Sequence, residues 1–309
     1  MIRDELRERL KVAAEQSGCA AVLGMLLEQA KECAYLFNVE DEEAGMRVGG
    51  NRIGGRPDLP EGMEWPRELN ERGKAWRYAN FIAQLNLAEV PELLGMPLPR
   101  QGMLWLFARG ATGDAYGVEI AAVYNAKPGE LARRDKPDGD SDDGPAADYA
   151  TAIRFERGVS LRHIDVTFRQ IDDLRGDFRK LAESLEPRDA HGQVGGWYST
   201  TEVDLYRALA FSRLGRPDCV FADYWGSVAE YDKAQDHFRT TREQVEWIDR
   251  HCAEIAAEAG SWQLLCLFTR NLQAGLEIGD ALSLDCFIRL DDLAAGNFDT
   301  VMGTMPQVL

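Results

Sequence analysis

The segment GMLWLFAR at 102–109 is apolar on both faces, with Met103, Trp105 and Phe107 alternating against Leu104, Leu106 and Ala108. Successive side chains of a strand point to opposite sides, so a strand written this way must be covered on both. WRYANFIAQL before it and YGVEIAAVYN after it are rich in aromatic and β-branched residues and read as neighbouring strands. TAIRFER, LRHIDVTF, WQLLCLFT and ALSLDCFI add further strands, with Gly275 and Gly279 between the last two.

Helical spacing occupies other stretches. Ile2, Leu6, Leu10 and Ala13 recur at that period, as do Val22, Leu26, Ala30, Cys33 and Phe37, so residues 2–37 are expected to form two helices separated at Ser17-Gly18. Leu174, Phe178, Leu181 and Leu185 mark another helix. Ser199-Thr200-Thr201 can cap one running to Leu214, and a last helix is expected over 240–259, stopped by Gly260. Mixed elements with long insertions argue for α+β, mostly antiparallel, rather than a regular βαβ series. The expected division is an N-terminal helical segment over 1–47 and an α+β domain over 48–309.

The entry to that domain is NRIGGRPDLPEGMEWP at 51–66. A phosphate cradle needs converging backbone N–H groups at a helix start, but Pro57 and Pro60 lack N–H and resist helix continuation. In the structural reading, Gly54 and Gly55 take positive φ, Pro57 and Pro60 fix extended backbone, and Trp65 fills the core. In the functional reading, Asn51, Arg56 and Asp58 line a cleft beside Gln84 and Asn86 of FIAQLNL. A buried Gln84 would need a partner, and the backbone of the Gly-Pro corner could supply it without any ligand. Gly-Arg-Pro-Asp occurs again at 215–218, and each copy precedes two apolar strands. We read a degenerate internal duplication, over about 48–130 and 197–309, with Gly215 and Pro217 as the second corner.

No HExxH, Walker, GxGxxG or G-x-S-x-G motif occurs in the chain. The Asp138-x-Asp140-x-Asp142 spacing fails the calcium-loop pattern, because Asp143 stands where the turn glycine belongs and Tyr149 where the closing glutamate belongs. His163 and Asp165 would be neighbours on a polar strand face, a solvated pair in the plain reading. The six cysteines contain no CxxC pair, and His251-Cys252 is wrongly spaced on a helix for a dyad or for chelation. No metal site, cofactor or catalytic residue is expected. A net charge of −17 disfavours nucleic acid and anionic membranes, while a basic protein partner fits. The charged N-terminus and the lack of a long apolar run lead us to expect a soluble, cytoplasmic protein.

IGGRPDLPEGMEWP, then NFIAQLNLAEV and LPRQGMLWLFA, resemble the YwqG-like family of bacterial proteins, a domain of unknown function. LGRPDCV, WQLLCLF and EIGDALSLDCFIRLDDLAAGNFD are similar to its ending. The resemblance implies an α+β fold with an internal repeat and assigns no catalytic residues. It also implies kinship with proteins encoded beside polymorphic toxins, which act as immunity proteins. This chain departs from the pattern at Leu267, where the family has Gln, at Ile278, where it has Trp, and at Leu282, where it has Gly. Those departures bear on any binding by the second corner. The leading expectation is thus a non-enzymatic, acidic binding protein that masks a basic toxin domain. The alternative is a small-ligand-binding protein or an enzyme using a cleft between the repeats.

Overall fold

The computed structural model describes residues 2–39, 45–69, 76–111, 117–141, 145–162, 175–198, 204–225, 227–233 and 240–306. His163 and Asp165, the Ser199-Thr200-Thr201 cap, and Asp142 and Asp143 lie outside these residues. Ten strands close an antiparallel barrel: β1 (Lys31–Val39), β2 (Arg52–Ile53), β3 (Asn80–Asn86), β4 (Met103–Ala111), β5 (Gly117–Asn125), β6 (Thr151–Ser160), β7 (Ala190–Gly195), β8 (Trp262–Thr269), β9 (Ser283–Arg289) and β10 (Met302–Thr304). Around the barrel they run β1-β6-β2-β3-β4-β5-β10-β9-β8-β7 and return to β1. With helices packed outside, the architecture is α+β.

Barrel closure explains the two-faced strands. Leu104, Leu106 and Ala108 of β4 point into one interior core with Ile53, Ile82, Phe268, Leu284 and Cys286. Met103, Trp105 and Phe107 point outward beneath Leu59, Trp65 and Ala79, so the whole of 103–108 is buried. Each large apolar side chain buried this way contributes about 1.5–3 kcal/mol. On the opposite wall, Leu264 and Leu267 of β8 and Phe287 of β9 are covered by Tyr198 and by Leu205, Tyr206 and Leu209 of the helix Leu205–Arg213. Two short strands complete the ring. Gly303 of β10 pairs with Val118 of β5, where an added Cβ would fall 2.4 Å from Ile120 and 2.7 Å from the Val118 carbonyl.

One expectation is corrected. The second N-terminal helix stops at Gln29, and Lys31–Val39 is strand β1, bonded to β6 and β7. Ala34 and Leu36 face the interior, and Cys33, Tyr35 and Phe37 face outward. A strand buried on both faces loses its period-two alternation, so Ala30, Cys33 and Phe37 imitate helical spacing. The helices Asp4–Ser17, Leu23–Gln29 and Arg175–Leu185 pack together against Val159 of β6. The helix predicted to Leu214 ends at Arg213 and is capped by Asp204, whose carboxylate accepts from the Tyr206 and Arg207 N–H groups.

The two Gly-Arg-Pro-Asp copies have unlike local structure. Gly54 and Gly55 join strand β2 to the short ladder Asp58–Pro60, both at left-handed φ of 69° and 66°. A Cβ on Gly54 would sit 2.3 Å from the Tyr149 carbonyl, so only glycine fits there. Gly215 instead terminates a helix, and Pro217–Cys219 forms a 3-10 turn. Glycine is used there as a helix stop, a different physical requirement.

Candidate functional site

The corner at 51–58 is closed. Asp58 is wholly buried, and its Oδ2 accepts from the Gly49 N–H at 2.9 Å, Arg52 Nη2 at 2.7 Å and Gln84 Nε2 at 3.0 Å. Its Oδ1 accepts from Arg133 Nε at 3.0 Å. Gln84 returns the favour through Oε1, which takes the Asp58 N–H at 2.7 Å, and its Nε2 also donates to the Gly50 carbonyl. Trp105 Nε1 donates to the Asp58 carbonyl at 2.9 Å, and Arg52 Nη1 to the Arg56 carbonyl at 3.0 Å. Charge-assisted bonds of this number fix the corner's geometry while satisfying every oxygen of a buried carboxylate.

The candidate residues divide accordingly. Asp58 and Gln84 touch each other. Asn51 and Asn86 form a second pair, with Asn51 Oδ1 accepting the Asn86 N–H at 2.6 Å and Asn51 Nδ2 donating to Glu89 Oε2 at 2.7 Å. Arg56 does not join them; its guanidinium is exposed, 3.4 Å from Asp135. Trp65 is buried edge-on to Phe107 at 5.2 Å. Sequence reasoning missed Arg52 and Arg133. Arg52 stood inside the quoted segment, and its position two residues before the glycines was the available signal. None of the cavities described below is lined by Asn51, Arg56, Asp58, Gln84 or Asn86.

Strand register shows a second row of cross-strand partners beside a glycine pair. Arg52, Gln84 and Trp105 are consecutive partners across β2, β3 and β4. Gln193, Leu267, Asp285 and Thr304 are consecutive partners across β7, β8, β9 and β10. As Gly54-Gly55 follow β2, Gly195-Gly196 stand at the end of β7, with left-handed φ of 69° and 80°. Gln193 turns its amide on this corner, donating to the Gly195 and Trp197 carbonyls at 2.8 Å each.

Here the surface opens. Trp197 lines two cavities, of about 260 and 320 Å³. The smaller lies over Tyr35, Gln193, Tyr198 and Leu267 and contains Glu186, whose carboxyl is pushed up by burial. The larger is lined by Lys31, Arg162, Trp197, Tyr206, Arg207 and Trp262. Lys31 Nζ sits 3.7 Å from the Trp197 ring centre and donates to Gln263 Oε1 at 3.1 Å. Burial, and secondarily the Arg162 charge, lower its pKa to about 8. Arg162 is paired with Asp204 at 2.6 Å, and Arg207 with Asp223 at 2.6 Å. Such a site can hold and orient a ligand. A third cavity, of about 300 Å³, lies at the β5–β10 seam under Leu209.

Other sequence candidates carry less. His251 Nδ1 lies 2.7 Å from the Trp247 carbonyl and its ring stacks on Trp247, whereas Cys252 is exposed. The other five cysteines are buried, and burial pushes the Cys33 thiol up to about 12. Among the described residues, no group of three His, Cys, Asp or Glu side chains is placed to hold a metal ion, and no helix is long and apolar enough to cross a membrane.

A family model covers residues 51–306, from the buried Asn51 through the closing strand β10. The chain belongs to the family of the domain of unknown function DUF1963. No curated protein matches it. The DUF1963 region contains both glycine corners and nine of the ten barrel strands. Strand β1, which carries Lys31 and closes the ring between β6 and β7, precedes it.

Proposed function

We propose that this chain is a non-enzymatic binding protein that engages a basic protein partner, with a toxin domain as the partner that its resemblance to the YwqG-like family implies. The observation that carries this reading is the outer helix Arg242–Gly260. It bears five carboxylates against two arginines and leaves Glu243, Asp249 and Glu254 exposed, on a chain of net charge −17. Complementary fields of this kind speed encounter and fix orientation. The closed corner at Asp58 adds support, because its polar atoms are held by one another.

The test is affinity capture from the native host with the wild type and with the triple variant Glu243→Gln, Asp249→Asn, Glu254→Gln. A basic protein should be retained by the wild type, released by raised salt, and bound at least fivefold more weakly by the variant. Equal capture by both chains, or capture of no basic protein, would overturn the reading.

A second reading has its own observation, the paired cavities flanking Trp197. It places small-ligand binding at the Gly195-Gly196 corner, on the opposite half of the barrel from the residues first suspected. The matched register of the two corners supports a degenerate duplication in which Gly195-Gly196, rather than Gly215, is the counterpart of Gly54-Gly55.

A further inference from the structure

We infer that the larger cavity beside Trp197 is a binding site for a small monocarboxylate with an apolar body, its carboxylate on Lys31. The inference rests on the small-ligand reading above and names the ligand class.

Three observations support it. Among the described residues the charges of the cavity do not balance. Arg162 and Arg207 each have a carboxylate partner, Asp204 and Asp223, but Lys31 has none among the described residues. Among the described residues its ammonium is held by the Trp197 ring, more distantly by the Tyr206 ring at 5.5 Å, and by one amide oxygen, Gln263 Oε1. A partly desolvated cation with neutral neighbours gains from an anion that water alone does not supply. Among the described residues the uncompensated charge is one, which matches a carboxylate and leaves a second charge of a phosphate dianion unmet.

The remaining wall sets the body of the ligand. Trp197, Tyr206, Trp262, Ala256 and Ala259 present rings and methyl groups, and about 320 Å³ is at the small end of ligand pockets. Trp197 is itself fixed by its Nε1–H, which donates to the Gln29 carbonyl at 2.7 Å, and by the Tyr206 ring edge at 5.7 Å. The platform is therefore formed before a ligand arrives, which limits the ordering cost of binding.

The protonation state of Lys31 gives a signature. Among the described residues, the groups facing it are Arg162 and Arg207, both positive, Asp204, negative and tied to Arg162, and the Tyr206 phenol, which burial keeps neutral. Only the ammonium form binds the anion. Affinity should be flat below about pH 8, where the amine titrates, and fall about tenfold per pH unit above it.

The experiment is calorimetric titration of the whole chain with phenylacetate, its neutral analogue phenylacetamide, and inorganic phosphate. Phenylacetate should bind at least tenfold more tightly than phenylacetamide or phosphate, with proton uptake at pH 8.5. Lys31→Met, which keeps the side-chain length, should lose at least tenfold in affinity while retaining the wild-type thermal transition. Glu186→Gln, in the neighbouring cavity, should bind as wild type does. Equal binding of phenylacetate and phenylacetamide would overturn the carboxylate assignment and leave the cavity a ligand site. If neither compound bound at millimolar concentration, the small-ligand reading would fall with it. Undiminished binding by a folded Lys31→Met variant would place the anion elsewhere.

Discussion

Asp58→Ala is expected to lower unfolding stability by about 3–5 kcal/mol, the usual cost of removing one partner from a buried ion pair. The loss is large because the carboxylate serves four donors, two of them guanidinium groups: Arg52, whose side chain is 1% exposed, and Arg133 at 15%. Without Asp58, both positive charges and the Gln84 amide are left facing one another beneath Trp105. Asp58→Asn keeps the shape but supplies its own N–H groups among donors, so it should lose roughly half as much. Arg56→Ala, two residues away in the same tetrapeptide, should change stability by less than about 0.5 kcal/mol, because its pair with Asp135 is exposed. Urea denaturation of the three variants measures this directly. If Asp58→Ala shifted the midpoint no more than Arg56→Ala, the corner would not be the structural tie described here.

The contrast between Asp58 and Arg56 shows where the sequence is legible. A polar Gln84 amid Ile82, Leu85 and Leu87 announced that something must satisfy it, and the Gly-Pro corner was the nearest source of backbone groups. The tie between Gln84 and the backbone of the corner was therefore readable. Arg52 and Arg133 were not, since an arginine in a loop or short strand is ordinarily solvated, and only the third dimension shows these two converging on one carboxylate. The same holds at Trp197. Lys31 and Trp197 are far apart in sequence and meet because β1 closes the barrel against β7. Short apolar runs rich in aromatic and β-branched residues identified β3, β4, β8 and β9, whereas β1 was hidden because Cys33 and Phe37 continue the helical spacing of Val22, Leu26 and Ala30. The four-letter echo at Gly215 drew attention to a helix stop, while the pair with matching backbone, Gly195-Gly196, shares only its glycines with the first corner.

A second large effect is expected from a buried carboxylate on the opposite wall of the barrel. Asp285 of β9 is fully buried on the outer face of the barrel, and among the described residues neither carboxylate oxygen has a hydrogen-bond partner of good geometry. Burial raises its pKa to about 7, with the Ser283 hydroxyl on the same strand face pulling the other way. Folding thus favours the protonated acid. Its stabilising contribution is fully present below about pH 4, where the unfolded carboxyl is also protonated, and is lost as pH rises through about 7. A shift of this size corresponds to about 4 kcal/mol across that interval, as an upper figure for one buried group. Asp285→Asn removes the titration. It should leave stability near wild type at pH 4 and raise it by about 2 kcal/mol at pH 8, so the difference between the two chains grows with pH. The cross-strand neighbour offers an independent check. Leu267 stands directly opposite Asp285, at the register where the other half places Gln84. Leu267→Gln would bring an amide donor to the carboxylate, hold its pKa down and flatten the same pH profile without touching Asp285. Thermal melts of wild type and the two variants from pH 4 to 8 provide the measurement. A wild-type minus Asp285→Asn difference that stays constant over that range would mean that Asp285 is ionised in the fold, and that the outer wall supplies it with a counter-charge.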